Sequence, residues 1–288
     1  MAAGLRFLIA EGNPAARNDV LLGLGGRPGS VCFTDALKTL QPDCAVEVVT
    51  PADGDPELPP GTTLADFDGV MMSGSGLNIP GGDDDPRVQR QIAFARAVFE
   101  AKVPFYGSCW GLQVAAAAAG GRVAASPRGS EMGFARKIAL TREGRGHPLH
   151  TDRAGAFDAP AIHVDEVTHL PSGATVLAEN AFCAIQSASI TYRGGVFWGV
   201  QYHPEFDLAD MARLIERYTD RLITQGFYAD ADAARRHCEQ LTTLHQDPDR
   251  QDVAWLLGID ADILDPRIRW REIDNWIERL VRPRRARR

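Results

Sequence analysis

Val103-Pro104-Phe105-Tyr106-Gly107-Ser108-Cys109-Trp110-Gly111-Leu112-Gln113 carries a short apolar strand pattern straight into a helical one through Gly-x-Cys-x-Gly. At the carboxyl end of a strand, two glycines permit a tight turn that pushes the side chain between them outward, the geometry of a nucleophile elbow. Cysteine occupies the central place. The helix that follows offers free N–H groups and a positive dipole end beside the sulfur, which favour thiolate over thiol. A small buried cysteine packed at a strand–helix turn fits the same segment.

Outward from this turn, apolar runs rich in β-branched residues at 5–10, 45–50, 69–73 and 103–106 alternate with helical patterns at 33–40, 87–100 and 112–119. Such alternation predicts an α/β fold with a mostly parallel central sheet flanked by helices. Shorter strand patterns at 134–140, 161–164 and 175–178 predict a small antiparallel layer, and a strand at 196–201 and a helix at 208–224 close this part. Beyond it only helical patterns remain, at 231–244, 249–257 and 270–280. Residues 1–225 are therefore expected to form the catalytic domain and 226–288 a helical C-terminal extension.

The chain has 31 Lys+Arg against 38 Asp+Glu, a formal net charge of −7. Residues 1–225 hold 19 basic and 26 acidic side chains and residues 226–288 hold 12 of each, so the acidic surplus lies in the first part. This balance argues against nucleic acid as the main partner. No stretch approaches the roughly 18–20 apolar residues of a membrane-spanning helix, and the first residues lack a secretory pattern, so a cytoplasmic chain without membrane contact is expected. Cys32, Cys44, Cys109, Cys183 and Cys238 form neither a C-x-x-C nor a disulfide framework. No metal or cofactor is expected, and a homo-oligomer is compatible with the composition.

A cysteine nucleophile needs a base, and the base needs a third group to orient it. Val196-Phe197-Trp198-Gly199-Val200-Gln201-Tyr202-His203-Pro204-Glu205 is a strand running out into a turn. Pro204 biases His203 toward extended backbone, where side chains two residues apart point the same way. Glu205 then reaches one imidazole nitrogen while the other faces a partner. A structural His–Glu pair at a strand end is the alternative.

Gly-x-Cys-x-Gly-x-Gln at 107–113, followed 94 residues after the cysteine by His-Pro-Glu, resembles the class I, triad-type glutamine amidotransferases. Residues 70–76 resemble that family's strand and glycine loop, although Gly74-Ser75-Gly76 stands where Gly-Gly-Pro is usual, and His163-Val164-Asp165-Glu166-Val167 resembles the GMP synthetase-like branch. The resemblance covers about residues 5–205 and implies a flavodoxin-like sheet. It also implies that Cys109, His203 and Glu205 cleave the side-chain amide of glutamine through a thioester. The oxyanion would be held by the N–H of Trp110 and that of Gly74 or Ser75, while Gln113 and Glu131 would lie against the substrate. A separate synthetase or ammonia acceptor is the implied partner. Neither an ATP-pyrophosphatase loop nor a Walker A motif occurs, and the 83 residues after Glu205 are few for a synthetase, so a stand-alone chain is expected. Two other readings stand beside glutamine hydrolysis: a hydrolase of another γ-glutamyl compound, and a binding or regulatory chain with an idle triad.

Four further features have simpler readings. Asp83-Asp84-Asp85 before Pro86 reads as an acidic first helical turn, and His147 and His150 read as solvated loop histidines. Trp270, Ile273, Trp276, Ile277 and Leu280 read as the packed face of the extension. The five arginines of 282–288 read as a frayed, solvated tail, with RNA, an acidic partner or a membrane surface as alternatives.

Overall fold

In chain order, strands and helices alternate as β1 (Arg6–Ala10), α1 (Ala15–Gly23), α2 (Gly29–Leu40), β2 (Ala45–Val49), β3 (Gly69–Met72), α3 (Pro86–Glu100), β4 (Phe105–Ser108) and α4 (Trp110–Ala118). Next come β5 (Arg122–Ala125), β6 (Glu131–Leu140), α5 (Arg142–Gly146), β7 (Ala156–His163), β8 (Asp165–His169), β9 (Ala174–Glu179), β10 (Ser187–Tyr192) and β11 (Gly195–Val200). Helices alone follow: α6 (Leu208–Arg217), α7 (Thr219–Thr224), α8 (Ala231–Gln246), α9 (Gln251–Leu257), α10 (Ala261–Leu264), α11 (Pro266–Arg269), α12 (Arg271–Trp276), a π turn (Ile277–Val281) and α13 (Arg282–Arg285). This is the computed structural model of the chain, which describes residues 4–82 and 84–288. Among them no helix is long and apolar enough to cross a membrane.

Among the described residues the strands form a nine-stranded sheet ordered β2-β1-β3-β4-β11-β10-β9-β6-β7 and a two-stranded β5-β8 ribbon. The first five are parallel, and from β11 outward each ladder is antiparallel. The antiparallel strands are thus appended to one side of the parallel sheet, as the sequence pattern predicts. The central strands β3 and β4 are buried throughout, as their near-continuous apolar sequences require of a sheet covered on both faces. Strands β5, β8 and β10 and helix α1 leave no clear pattern in the sequence: β5 is only four residues long, and α1 leaves Val20 and Leu22 exposed, which blurs its apolar stripe.

The helices after residue 225 pack in two places: Leu241, Leu244, Val253, Ile259 and Ile263 form a separate cluster with Cys32, Phe206 and Met211, whereas the last helices join the sheet. Ile273, Trp276, Ile277 and Val281 are fully buried in the same cluster as Phe7, Phe33, Met71 and Tyr106 beneath the sheet. Ile273, Ile277 and Val281 contribute roughly 1.5–3 kcal/mol each by that burial. The packed face predicted at 270–280 is therefore core of the main sheet. The arginine-rich end is also held: Arg285 donates to Gly4 O at 2.9 Å and pairs with Asp68 at 3.1 Å, and Arg284 and Arg288 reach Phe67 O. Carbonyls and a carboxylate at the sheet's lower edge supply partners that a tail read in isolation lacks, so it is not frayed.

Candidate active site

The parallel strands β4 and β11 end side by side, and Cys109 N–H donates to Val200 O at 2.8 Å, tying the two following turns together. Cys109 has φ 50° and ψ −100°, a strained backbone conformation for a residue with a side chain. Both glycines of the turn are dictated by contact. A methyl group on Gly107 would lie 2.8 Å from Gly111 Cα, and one on Gly111 would lie 2.6 Å from Met72 O. Ser108, just before the cysteine, donates its hydroxyl to Glu205 Oε1 at 2.7 Å.

His203 Nδ1 lies 2.7 Å from the same Oε1, and the ring stacks on Phe206 with centroids 4.3 Å apart. Burial opposes protonation of this imidazole, but the charge on Glu205 and the adjacent Cys109 sulfur outweigh it and raise the pKa to about 10. Gly74 approaches from the other side, where a methyl group would meet His203 Cε1 at 2.6 Å. Cys109, His203, Gly74, Ser75 and Gln113 line one cavity of about 150 Å³.

Trp110, Gln113 and Glu131 each have a side-chain partner. Trp110 begins α4, and its buried indole donates to Gln91 Oε1 at 2.7 Å. Gln113 donates its amide to Asp165 O at 2.8 Å. Glu131 is not among the cavity-lining residues, whereas its neighbours Ser130 and Met132 are, as the two-residue period of β6 dictates. Its carboxylate instead accepts from Asn180 and Gln186, each at 2.7 Å, and lies 2.8 Å from His163 Nε2. Although burial opposes ionisation, these partners hold the carboxyl below its ordinary range.

His150 is not solvated: it is buried 3.0 Å from Ser187 Oγ and 3.5 Å from Glu272. His147 packs edge-on against Trp198. Of the acidic run, Asp85 caps α3 by accepting from Arg87 N–H at 2.9 Å, while Asp83 lies outside the described residues.

Several supporting residues escaped sequence reasoning. Buried Glu11 accepts from Ser73 Oγ and from the N–H groups of Asn13 and Ser30, and Asn13 Oδ1 accepts from Gly76 N–H at 3.0 Å, which anchors the glycine loop. A charge at the carboxyl end of an apolar parallel strand, where the crevice of such sheets opens, was the available signal. Arg269 donates to Pro204 O at 3.2 Å, and Tyr202 OH donates to Glu272 Oε1 at 2.9 Å, so the C-terminal helices grip the turn on both sides of His203.

The model of the glutamine amidotransferase class-I family matches residues 35–219. The chain belongs to that family. Over 284 residues it is 34% identical to the γ-glutamyl-L-1-hydroxyisopropylamide hydrolase of a Pseudomonas species, a match spanning 97% of this chain and 94% of the hydrolase. It is 33% identical to the glutamine-hydrolysing GMP synthase of Alkalilimnicola ehrlichii over 169 residues, 57% of this chain but 30% of the synthase. A glutamine amidotransferase from Thermotoga maritima shares the fold, with a TM-score of 0.65, 17% identity and coverage of 96% of this chain and 98% of that one. This amidotransferase-family chain is an enzyme of the glutamine amidotransferase and γ-glutamyl hydrolase type, with the α/β sheet expected of it.

Proposed function

We propose that the chain hydrolyses a γ-glutamyl amide through a thioester on Cys109. The observation that carries this reading is the convergence on one cavity of a strained, outward-facing cysteine and a buried imidazole held 2.7 Å from a carboxylate. In this mechanism Cys109 sulfur attacks the amide carbonyl carbon. The carbon–nitrogen bond then breaks as His203 gives its proton to the departing amine. Water attacks the thioester next: His203 takes the water's proton, the carbon–sulfur bond breaks, and glutamate leaves. Glu205 holds the imidazole by Nδ1 and stabilises its charge, with Ser108 fixing the carboxylate.

The oxyanion falls to the N–H of Trp110 in the first turn of α4 and to that of Gly74 or Ser75. The N–H groups of Gly74 and Ser75 make no hydrogen bond to another described residue, which leaves them available as donors. An amine larger than ammonia is favoured as the leaving group, because the similarity to the Pseudomonas hydrolase runs through the C-terminal helices whereas that to the GMP synthase covers 57% of the chain. Release of glutamate from L-glutamine and from γ-glutamylethylamide by the purified chain tests the reading. Turnover of either that vanishes in Cys109→Ala supports it, and equal turnover in that variant refutes it.

The synthase-like segment favours a second reading, in which glutamine is the substrate and ammonia passes to a separate synthetase subunit. Glutamine turnover exceeding that of every other γ-glutamyl amide, and rising when a synthetase is added, is the result that reading requires.

A further inference from the structure

The chain is acidic overall, yet the wall of its cavity is cationic. Four arginines, Arg17, Arg27, Arg217 and Arg221, line it together with two carboxylates, Asp165 and Asp210. Arg27 is already neutralised, with Asp35, Asp207 and Asp210 at 2.8, 2.9 and 2.5 Å. The other three guanidinium groups gather around one ring: Arg17 donates to Tyr218 OH at 3.1 Å, and Arg217 and Arg221 sit 5.5 and 5.9 Å from its centroid. Arg221 also donates to Ser130 Oγ at 3.3 Å. Among the described residues none of these three has a carboxylate within salt-bridge distance. Asp165 is the one remaining acid, and its Oδ2 is buried without a hydrogen-bond partner.

Three cations of one sign in a half-closed cleft repel one another unless an anion joins them, and a cleft concentrates their field on whatever enters. A γ-glutamyl group cannot balance this surplus. Its α-carboxylate occupies one arginine and its α-ammonium suits Asp165, so the group is neutral and the cavity retains two positive charges in excess. Glutamine and the amides of neutral amines share that shortfall.

We propose that the preferred substrate is an acidic γ-glutamyl amide, one whose leaving amine itself carries a carboxylate, as in a γ-glutamyl amino acid. Arg17, Arg217 and Arg221 receive the two carboxylates by charge-assisted hydrogen bonds, which planar guanidinium groups make in pairs. The inference rests on the proposed γ-glutamyl amide hydrolysis and narrows its substrate class.

Kinetics of the full chain on γ-L-glutamylglycine, γ-glutamylethylamide and L-glutamine test it. The glycine amide should exceed both neutral compounds in kcat/KM by at least about tenfold, and the gap should shrink as sodium chloride is raised. In Arg217→Gln and Arg221→Gln the ratio of γ-glutamylglycine to γ-glutamylethylamide should collapse toward one, through KM more than kcat. Calorimetric titration of Cys109→Ala with the same two amides reads the preference without turnover. Equal affinity there, or a wild-type rate on γ-glutamylethylamide matching that on γ-glutamylglycine, overturns the inference and leaves the hydrolase reading intact. Tighter binding of γ-glutamylglycine by Cys109→Ala with no glutamate released by the wild type from any of the three compounds keeps the anion site and overturns the hydrolase reading.

Discussion

The cysteine turn and the histidine turn end neighbouring parallel strands and meet at one cavity, but they are shaped in opposite ways. At residues 107–111 the conformation comes from within: two glycines, a strained φ and the start of a helix. At residues 202–205 it comes largely from far along the chain, from Arg269 on the Pro204 carbonyl and Glu272 on the Tyr202 hydroxyl. A local turn is written in consecutive letters. A braced one is written partly in residues more than sixty positions later, and the two kinds of turn should respond differently to substitution.

Substitution at the local turn should be catastrophic for chemistry and mild for folding. Cys109→Ala removes the proposed nucleophile, and glutamate release from a γ-glutamyl amide should fall by about 10⁴-fold or more. Cys109→Ala deletes one sulfur atom whose contacts are His203 and, weakly, Ile162 O at 3.7 Å, and it opens no large cavity, so the urea midpoint should move little. Unchanged turnover would break the comparison at its first member.

Glu205→Gln tests the junction of the two turns, since that carboxylate holds both His203 and Ser108. A loss in kcat of about a thousandfold is expected, near the low side of what removing the charge of an orienting acid costs elsewhere. The pH dependence carries the sign. His203 is raised from 6.5 to about 10, so the imidazolium persists at neutral pH and is lost as pH rises through about 10. Activity that needs this proton should decline there, and in Glu205→Gln the decline should begin at lower pH because the charge that held the proton is gone. Any stability the charged ring contributes is complete below pH 6.5 and disappears over the same upper range. An alkaline limb that stays put in the variant would assign it to another group.

This contrast also explains what could be read in the sequence. The parallel strands, the elbow and His203-Pro204-Glu205 are each short patterns, and two such patterns at strand ends can be paired even across 94 residues. The resemblance places Glu131 against the substrate, but the alternation along β6 turns it the other way. Arg17, Arg217 and Arg221 come from α1, α6 and α7, and no periodicity announces that three helices bring them around Tyr218. Glu272 left a faint mark: it falls four residues from Ile268 and from Trp276, a charge on an otherwise apolar helical face. Read without the sheet beneath it, that face belonged to an extension.

Glu272→Ala probes the distant brace. It leaves Arg153, 3.2 Å from the missing carboxylate and almost wholly buried, without its counter-charge, which should destabilise the chain by about 3 kcal/mol. Burial opposes ionisation of Glu272, but Arg153 and His150 prevail and hold its pKa below 4.5. Its contribution is therefore present at neutral pH and lost as pH falls below 4.5, so the gap between wild type and variant in urea titrations should close in acid. If the brace positions His203, kcat of the folded variant should also drop with KM little changed, and Glu272→Gln, which can keep the Tyr202 bond, should recover part of it. A drop in stability alone would mean that the helices support the sheet and not the turn.

Arg285→Ala sharpens the comparison at its weak end, because Arg285 lies farther along the chain from its partner than Glu272 does but is only partly buried. Its ion pair with Asp68 spans 3.1 Å, with about a third of the arginine side chain exposed. Asp68 is nearly buried but keeps the Arg6 N–H, and the arginine end is open to water and salt, so the pair is worth at most about 1 kcal/mol. The melting temperature should fall by no more than about 2–4 °C, with kcat/KM at the wild-type value. Were Arg285→Ala to cost as much as Glu272→Ala, distance along the chain and not burial would be the measure of a brace, and the arginine-rich end would be part of what holds the histidine turn. A small effect puts the weight on burial: Glu272 matters because it meets Arg153 and Tyr202 where water cannot replace it, and Arg285 does not because water can.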